Sequence, residues 1–204
     1  MFFIIYCKMT FLHPPNVVIM KKISLILVLC TCPFITKAQK SQVERTMFGL
    51  ETGLTGLWIY NESRLAPQIT LKSKIGFNSL FYTSSPTHPS GIVSTPEVAL
   101  EPRLYYNLLK RESDKKNINS NSANFVSIKF VYNPDHALFS SFKDETTPPT
   151  IEGRISVIPT WGIRRSIGKK FYYEVGAGIG YSYFYDSHTG GIAADLHLKL
   201  GFRL

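Results

Sequence analysis

The sequence predicts an all-β fold: a single antiparallel up-and-down transmembrane β-barrel of eight strands. Three observations carry this. The first is strict period-two alternation at the end of the chain. The final run, IAADLHLKLGFRL, is apolar at Ile192, Ala194, Leu196, Leu198, Leu200, Phe202 and Leu204, with Asp195, His197, Lys199 and Arg203 between them. The run before it, KFYYEVGAGIGYSYFYD, places Phe171, Tyr173, Val175, Ala177, Ile179, Tyr181, Tyr183 and Tyr185 on one face. Tyr172, Glu174, Gly176, Gly178, Gly180 and Ser182 share the other. Successive residues of a strand point to opposite sides, so each run has one greasy and one polar face. The second observation is length. Each run exceeds ten residues, long for a water-soluble strand and right for one crossing a bilayer at a tilt. The third is composition. Charged residues are 18% and aromatics 13%, and mean hydropathy is +0.00. That average excludes a polytopic helical membrane protein and is expected when lipid-facing and water-facing residues alternate.

The 204 residues suffice for one domain. Residues 20–38, MKKISLILVLCTCPFITKA, have the anatomy of a secretory signal. Two lysines precede an apolar core, and a small residue, Ala38, stands at the cleavage point. The apolar core is too short for a membrane-spanning helix, which needs about 20 apolar residues. Cleavage would leave residues 39–204 as the barrel domain. Residues 1–19 lie upstream of a signal that already starts with Met20, and are expected to be an extension from a mis-assigned start. All three cysteines, Cys7, Cys30 and Cys32, precede residue 39, so the barrel domain holds no disulfide. Four of the 23 basic residues and none of the 14 acidic ones also precede it. The remainder carries 19 basic and 14 acidic residues, a net +5. No Lys/Arg tract is interleaved with aromatics, so no nucleic-acid partner is expected.

Alternation begins at Met47 and reads on to Tyr60, with Phe48, Leu50, Leu54, Trp58 and Tyr60 on the outer face and Glu51, Leu57 and Ile59 opposite. Asn61-Glu62-Ser63 reads as a turn. From Leu65 to Tyr82 the outer face is Ile69, Leu71, Ile75, Phe77 and Phe81, and the inner face carries Gln68, Thr70, Lys72, Lys74 and Asn78. Residues 83–94 are a Pro/Ser/Gly loop. From Thr95 to Lys110, Val98, Leu100, Pro102, Leu104, Tyr106 and Leu108 oppose Glu97, Glu101, Arg103, Tyr105 and Asn107. Pro102 has no N–H for a ladder, which predicts a bulge or a locally broken pairing. Residues 111–123 are a polar loop. From Asn124 to Tyr132, Val126, Ile128, Phe130 and Tyr132 point out and Ser127 and Lys129 in. From Ile151 to Arg165, Ile155, Val157, Pro159, Trp161 and Ile163 point out, against Glu152, Arg154, Ser156, Thr160 and Arg164.

These make seven strands, whereas single-chain bacterial barrels have an even number. The best place for the eighth is 137–143, ALFSSFK. It would put the turns at 133–136 and 166–169 on the periplasmic side, with a long loop at 83–94. Residues 61–63, 111–123, 144–150 and 186–190 would lie outside. The rival, a short strand before residue 47, inverts every loop.

The apolar faces carry more large side chains than a small interior can hold, which disfavours a soluble sandwich or lipocalin-like barrel. The opposite faces are small and charged: Gly49, Gly53, Gly76, Gly162, Gly176, Gly178, Gly180 and Gly201 stand among Glu51, Lys72, Lys74, Glu101, Arg103, Lys129, Arg154, Arg164, Glu174, Asp195, His197 and Lys199. Eight strands leave room only for side chains. Charges of both signs confined there would pair, because an unpaired buried charge is costly.

The stretches EPRLYYNLLKR (101–111), NSANFVSIKFVYNP (121–134), PTWGIRRSIGKKFYYEVGAGIGY (159–181) and DLHLKLGFRL (195–204) resemble the small outer-membrane β-barrel proteins of Bacteroidetes-type bacteria. The likeness rests on strand texture and the E-P-R-x-Y-Y-N and P-x-W-G-I-R-R phrases. It implies a barrel in the outer membrane and lends no catalytic residue.

The leading expectation is therefore a non-enzymatic outer-membrane barrel with a structural, adhesive or envelope-maintenance role and a lumen filled by side chains. Its partners would be outer-membrane lipid, lipopolysaccharide, or molecules met by the outer loops. A membrane-embedded lipid hydrolase or acyltransferase would need an activated nucleophile. Asp195 and His197 share a strand face and could orient a base toward Ser156 or Ser182, but no G-x-S-x-G elbow or other spacing sets a serine beside His197. A secreted lipocalin-like small-molecule binder is the soluble alternative. A narrow channel or binding cavity would call for a lumen of one sign, and the charges are mixed. No catalytic, cofactor-binding or metal site is expected: the histidines are scattered and cysteines are absent after residue 38.

Overall fold

The computed structural model describes residues 42–82, 91–141 and 151–204. The signal sequence, the extension before it and residues 144–150 lie outside the described residues.

Alternation produces most of the strands expected, and they close on themselves. The strands are β1 (Thr46–Gly53), β2 (Gly56–Ala66), β3 (Ile69–Tyr82), β4 (Gly91–Leu104), β5 (Asn124–Asn133), β6 (Phe139–Ser140), β7 (Arg154–Ile167), β8 (Phe171–Phe184) and β9 (Thr189–Arg203). All pairings are antiparallel, and β1 pairs with both β2 and β9. The ring runs β1-β2-β3-β4-β5-β7-β8-β9 and back to β1. It is a closed eight-stranded barrel with β6 appended to β4 outside the ring. Closure removes the edges that would otherwise seek partners.

The eighth strand is not at 137–143. Of its described residues, 137–141, two form β6, on Val93 and Ser94 of β4. The extra strand comes instead from residues 46–66, read from sequence as one strand and a turn. The chain reverses at Leu54 and Thr55, and Asn61 to Ser63 lie inside β2, paired with Phe48 to Thr46. A two-residue reversal shifts the inward set from odd to even positions. Met47, Gly49 and Glu51 point in on β1, but Trp58, Tyr60 and Glu62 do so on β2. Leu57 and Ile59 are the outward residues there.

The added hairpin also reassigns the ends. Both termini of the barrel lie at one end, here the basal end, with the connections β2–β3, β4–β5 and β7–β8. The segment 111–123, expected outside, is therefore basal. Residues 133–136 and the strand ends that flank the β3–β4 connection, Tyr82 and Gly91, expected basal, lie at the distal end.

Pro102 interrupts the β4–β5 ladder as anticipated. Pairing skips from Leu100↔Phe130 to Arg103↔Ser127 without a change of register, so there is a gap and no bulge. Beyond Leu104 the expected strand stops. Tyr105 turns inward, and a short helix, α1 (Leu108–Ser113), and a 3-10 turn (Asn119–Asn121) cross the basal end. Val43, Tyr105, Leu108, Ala123 and Phe125 form an apolar cluster there, with Ile118 against it. Asn121 Oδ1 accepts from the Glu44 N–H at 2.8 Å, and Glu44 Oε1 accepts from the Ser120 N–H at 2.7 Å. The 105–123 connection is thus a basal cap.

The outer surface is apolar. Ile75, Val98, Leu100, Ile128, Val157, Val175 and Leu198 are exposed around its middle, and Ile179 and Leu196 reach 73% and 86% exposure. Aromatic side chains gather toward the ends: Phe48, Tyr106, Phe171, Tyr173 and Phe202 basally, Phe81, Tyr132, Phe139, Tyr181 and Tyr183 distally. The polar faces point inward, the reverse of a lipocalin-like arrangement.

Candidate functional site

Inward glycines make room for inward rings. Gly49 stands directly across from Tyr60, Gly76 from Trp58, Gly162 from Phe125, Gly201 from Tyr172, and Gly176 from the His197 imidazole. A Cβ at any of them would collide with the ring opposite. The missing side chain lets each ring lie against the barrel wall. The glycines are therefore notches for particular rings and not general spacers.

Between the rings, the basal half of the lumen is filled by an ionic network. Glu51, Glu62, Glu101 and Glu174 are fully buried there with Lys72, Arg103 and Arg164. Glu174 is the hub. It accepts from Arg103 Nη1 and Nη2 at 2.7 and 2.8 Å, and from Arg164 Nε and Nη2 at 2.9 and 2.7 Å. Arg103 also reaches Glu101 at 2.8 Å, and Arg164 reaches Glu62 at 2.7 Å. Glu62 further accepts from Thr70, Tyr105 and Asn121, which ties the network to the cap. Lys72 donates to Glu51, as does the Tyr172 hydroxyl at 2.6 Å. Both guanidinium groups lie over rings, Arg103 at 4.3 Å from the Phe125 centroid and Arg164 at 4.5 Å from that of Tyr172. Such forks suit arginine better than lysine. Burial pushes the Tyr105 phenol well above its ordinary pKa, so it serves Glu62 as a neutral donor.

The distal half differs. It holds a cavity of about 350 Å³ lined by Trp58, Lys74, Glu97, Lys129, Arg154, Asp195, His197 and Lys199, among others. Lys74 Nζ donates to Glu97 at 2.5 Å, and Lys129 pairs with Asp195. The Trp58 ring has Lys74 Nζ at 4.6 Å and Lys199 Nζ at 5.4 Å from its centroid.

The residues weighed for acyl chemistry all line this cavity, yet they do not assemble a nucleophile. His197 Nδ1 is 2.8 Å from Asp195 Oδ2, as the shared face suggested. His197 Nε2 faces Glu174 Oε1 at 3.5 Å. Ser156 and Ser182 bond each other across β7 and β8 at 2.6 Å. Among the described residues, no group of three or more His, Cys, Asp or Glu is placed to hold a metal ion.

Sequence reading identified most of the interior charges and missed Glu62, Trp58 and Tyr60, all through the hairpin at residues 54–55. Gly53 and Gly56 flanking those two residues were the available signal. The capping role of Tyr105 and Asn121 had none. No family model, no curated protein and no solved structure matches the chain.

Proposed function

We propose that the chain is an integral outer-membrane β-barrel protein, exported by the signal at 20–38, with a structural, adhesive or envelope-maintenance role. The reading includes kinship with the small barrels of Bacteroidetes-type bacteria that its strand phrases resemble. Outer-membrane lipid and lipopolysaccharide are its partners along the barrel wall. The observation that carries the reading is the inside-out polarity of a closed barrel. Large apolar residues girdle the outside, aromatics gather toward both ends, and the charges are inside. A water-soluble protein rarely exposes so continuous an apolar surface, whereas a membrane barrel requires one. The packed basal half argues against a general pore: a solute would have to break several buried ion pairs to pass.

The test is fractionation of the envelope followed by electrophoresis of unboiled and boiled samples. The protein should travel with the outer membrane, start near Gln39, and shift in mobility on boiling. A soluble periplasmic protein with no shift would overturn the reading.

A further inference from the structure

The lumen is mixed in charge overall but not at each depth. Acidic groups lead in the basal half, where four glutamates face Lys72, Arg103 and Arg164. Cations lead in the distal cavity, where Lys74, Lys129, Arg154 and Lys199 face Glu97 and Asp195. Both distal carboxylates are taken, one by Lys74 and one by Lys129. Among the described residues, Lys199 and Arg154 have no carboxylate within 4.0 Å. Arg154 donates instead to the neutral Asn133 Oδ1 at 3.1 Å. Lys199 is 4% exposed, with the Trp58 indole beside it and Glu174 opposite it on β8, and Glu51, Glu174, Glu101 and Asp195 act on its charge from beyond 4.0 Å. The indole N–H of Trp58 also lacks a hydrogen-bond partner among the described residues. With Glu97 and Asp195 already paired and Arg154 on a neutral acceptor, the cavity lining carries two more cations than carboxylates, an excess that a bound anion would balance.

We propose that the distal half of the lumen binds a small oxyanion, the phosphate or carboxylate of a free solute. Lys199 sits at its floor and Arg154 nearer the mouth. The position follows from the strands. Arg154 opens β7 at the distal end, and Lys199 lies well down β9, next to the basal network through Glu174. The volume, near the lower bound of small-molecule pockets, suits a solute of a few heavy atoms. The closed basal half makes this a terminal site and not a stage of permeation. The inference goes beyond the membrane assignment and does not need it, since it concerns the interior alone.

The chain has two tryptophans, so Trp161→Phe leaves Trp58 as the sole tryptophan, at the cavity wall, to be excited selectively over the tyrosines. The experiment titrates this variant, folded in non-ionic detergent, with inorganic phosphate and with succinate, against sodium chloride of equal ionic strength. The expected result is a saturable change with the oxyanions and not with chloride. Adding Lys199→Gln should weaken apparent affinity about tenfold or more, the size of a charge-assisted contact. Arg154→Gln should weaken it several-fold, and Lys110→Gln on α1 not at all. Heat-shifted electrophoresis of each sample reports folding separately. If Lys199→Gln fails to fold, Arg154→Gln against Lys110→Gln carries the test. A response that does not saturate, that chloride reproduces, or that both cavity variants leave unchanged would overturn the proposal. So would a response to lipopolysaccharide with none to free phosphate.

Discussion

Arg103→Ala is the sharpest perturbation of this barrel. Arg103 is 1% exposed and makes three charge-assisted hydrogen bonds, two to Glu174 and one to Glu101, with its guanidinium over Phe125. Its removal leaves Glu101 with Ser127 alone among its direct hydrogen-bond donors. Glu174 keeps Arg164. Breaking a buried pair from one side costs about 3–5 kcal/mol, because a charge is stranded where water cannot reach it. A chain of this size shifts about 2–4 °C per kcal/mol, so the midpoint should fall by about 6–20 °C. Arg103→Lys keeps the charge but not the planar fork, and should lose less than half as much. The assay is the temperature at which the compact band converts to the unfolded one in detergent, with Lys110→Ala as a surface control. Insertion into membranes should be unchanged, because Arg103 does not touch the outer face. An Arg103→Ala midpoint equal to that of the control would refute the network's place in stability.

The remaining predictions probe other layers of the same construction. Gly201→Ala drives a Cβ into the Tyr172 ring; it should cost about 1–3 kcal/mol by overpacking, read as a lower urea midpoint. Leu198→Arg, near the middle of the outer face, should cost about 2–4 kcal/mol and lower folding yield into lipid vesicles, while Lys199→Arg beside it should not. Asn121→Ala removes the bond to Glu62 and the acceptor for the Glu44 N–H; it should cost about 1–2 kcal/mol and speed hydrogen exchange in residues 105–123 before any change in the strands.

Alternation assigns a residue's face only as far as a strand runs unbroken. Where a strand runs unbroken, as in β3, β5, β7, β8 and β9, each side chain's face was legible, since a residue's side follows from its parity alone. The charged lumen and apolar outside followed, because these runs put most of their large apolar residues on one parity. Parity fails at a reversal. Residues 46–66 kept alternating through Leu54 and Thr55, and the flip that turns Trp58 and Tyr60 inward showed in the periodicity only as Leu57 and Ile59 falling on the parity of Glu51. One missed hairpin then displaced the eighth strand to 137–143 and moved residues 111–123 to the wrong end. The cap was illegible for a related reason: Tyr105 continues the alternation of β4, and only the packed cluster beyond it ends the strand.

The sequence by itself determined the class of fold, the two faces of each unbroken strand and most of the interior charges, because these depend on the order of residues along single strands. The tertiary structure alone decided which glycine faces which ring, which arginine meets Glu174, and at what depth acids or bases prevail. Those depend on register and on closure of β1 against β9, contacts between residues as far apart in the chain as Glu51 and Tyr172.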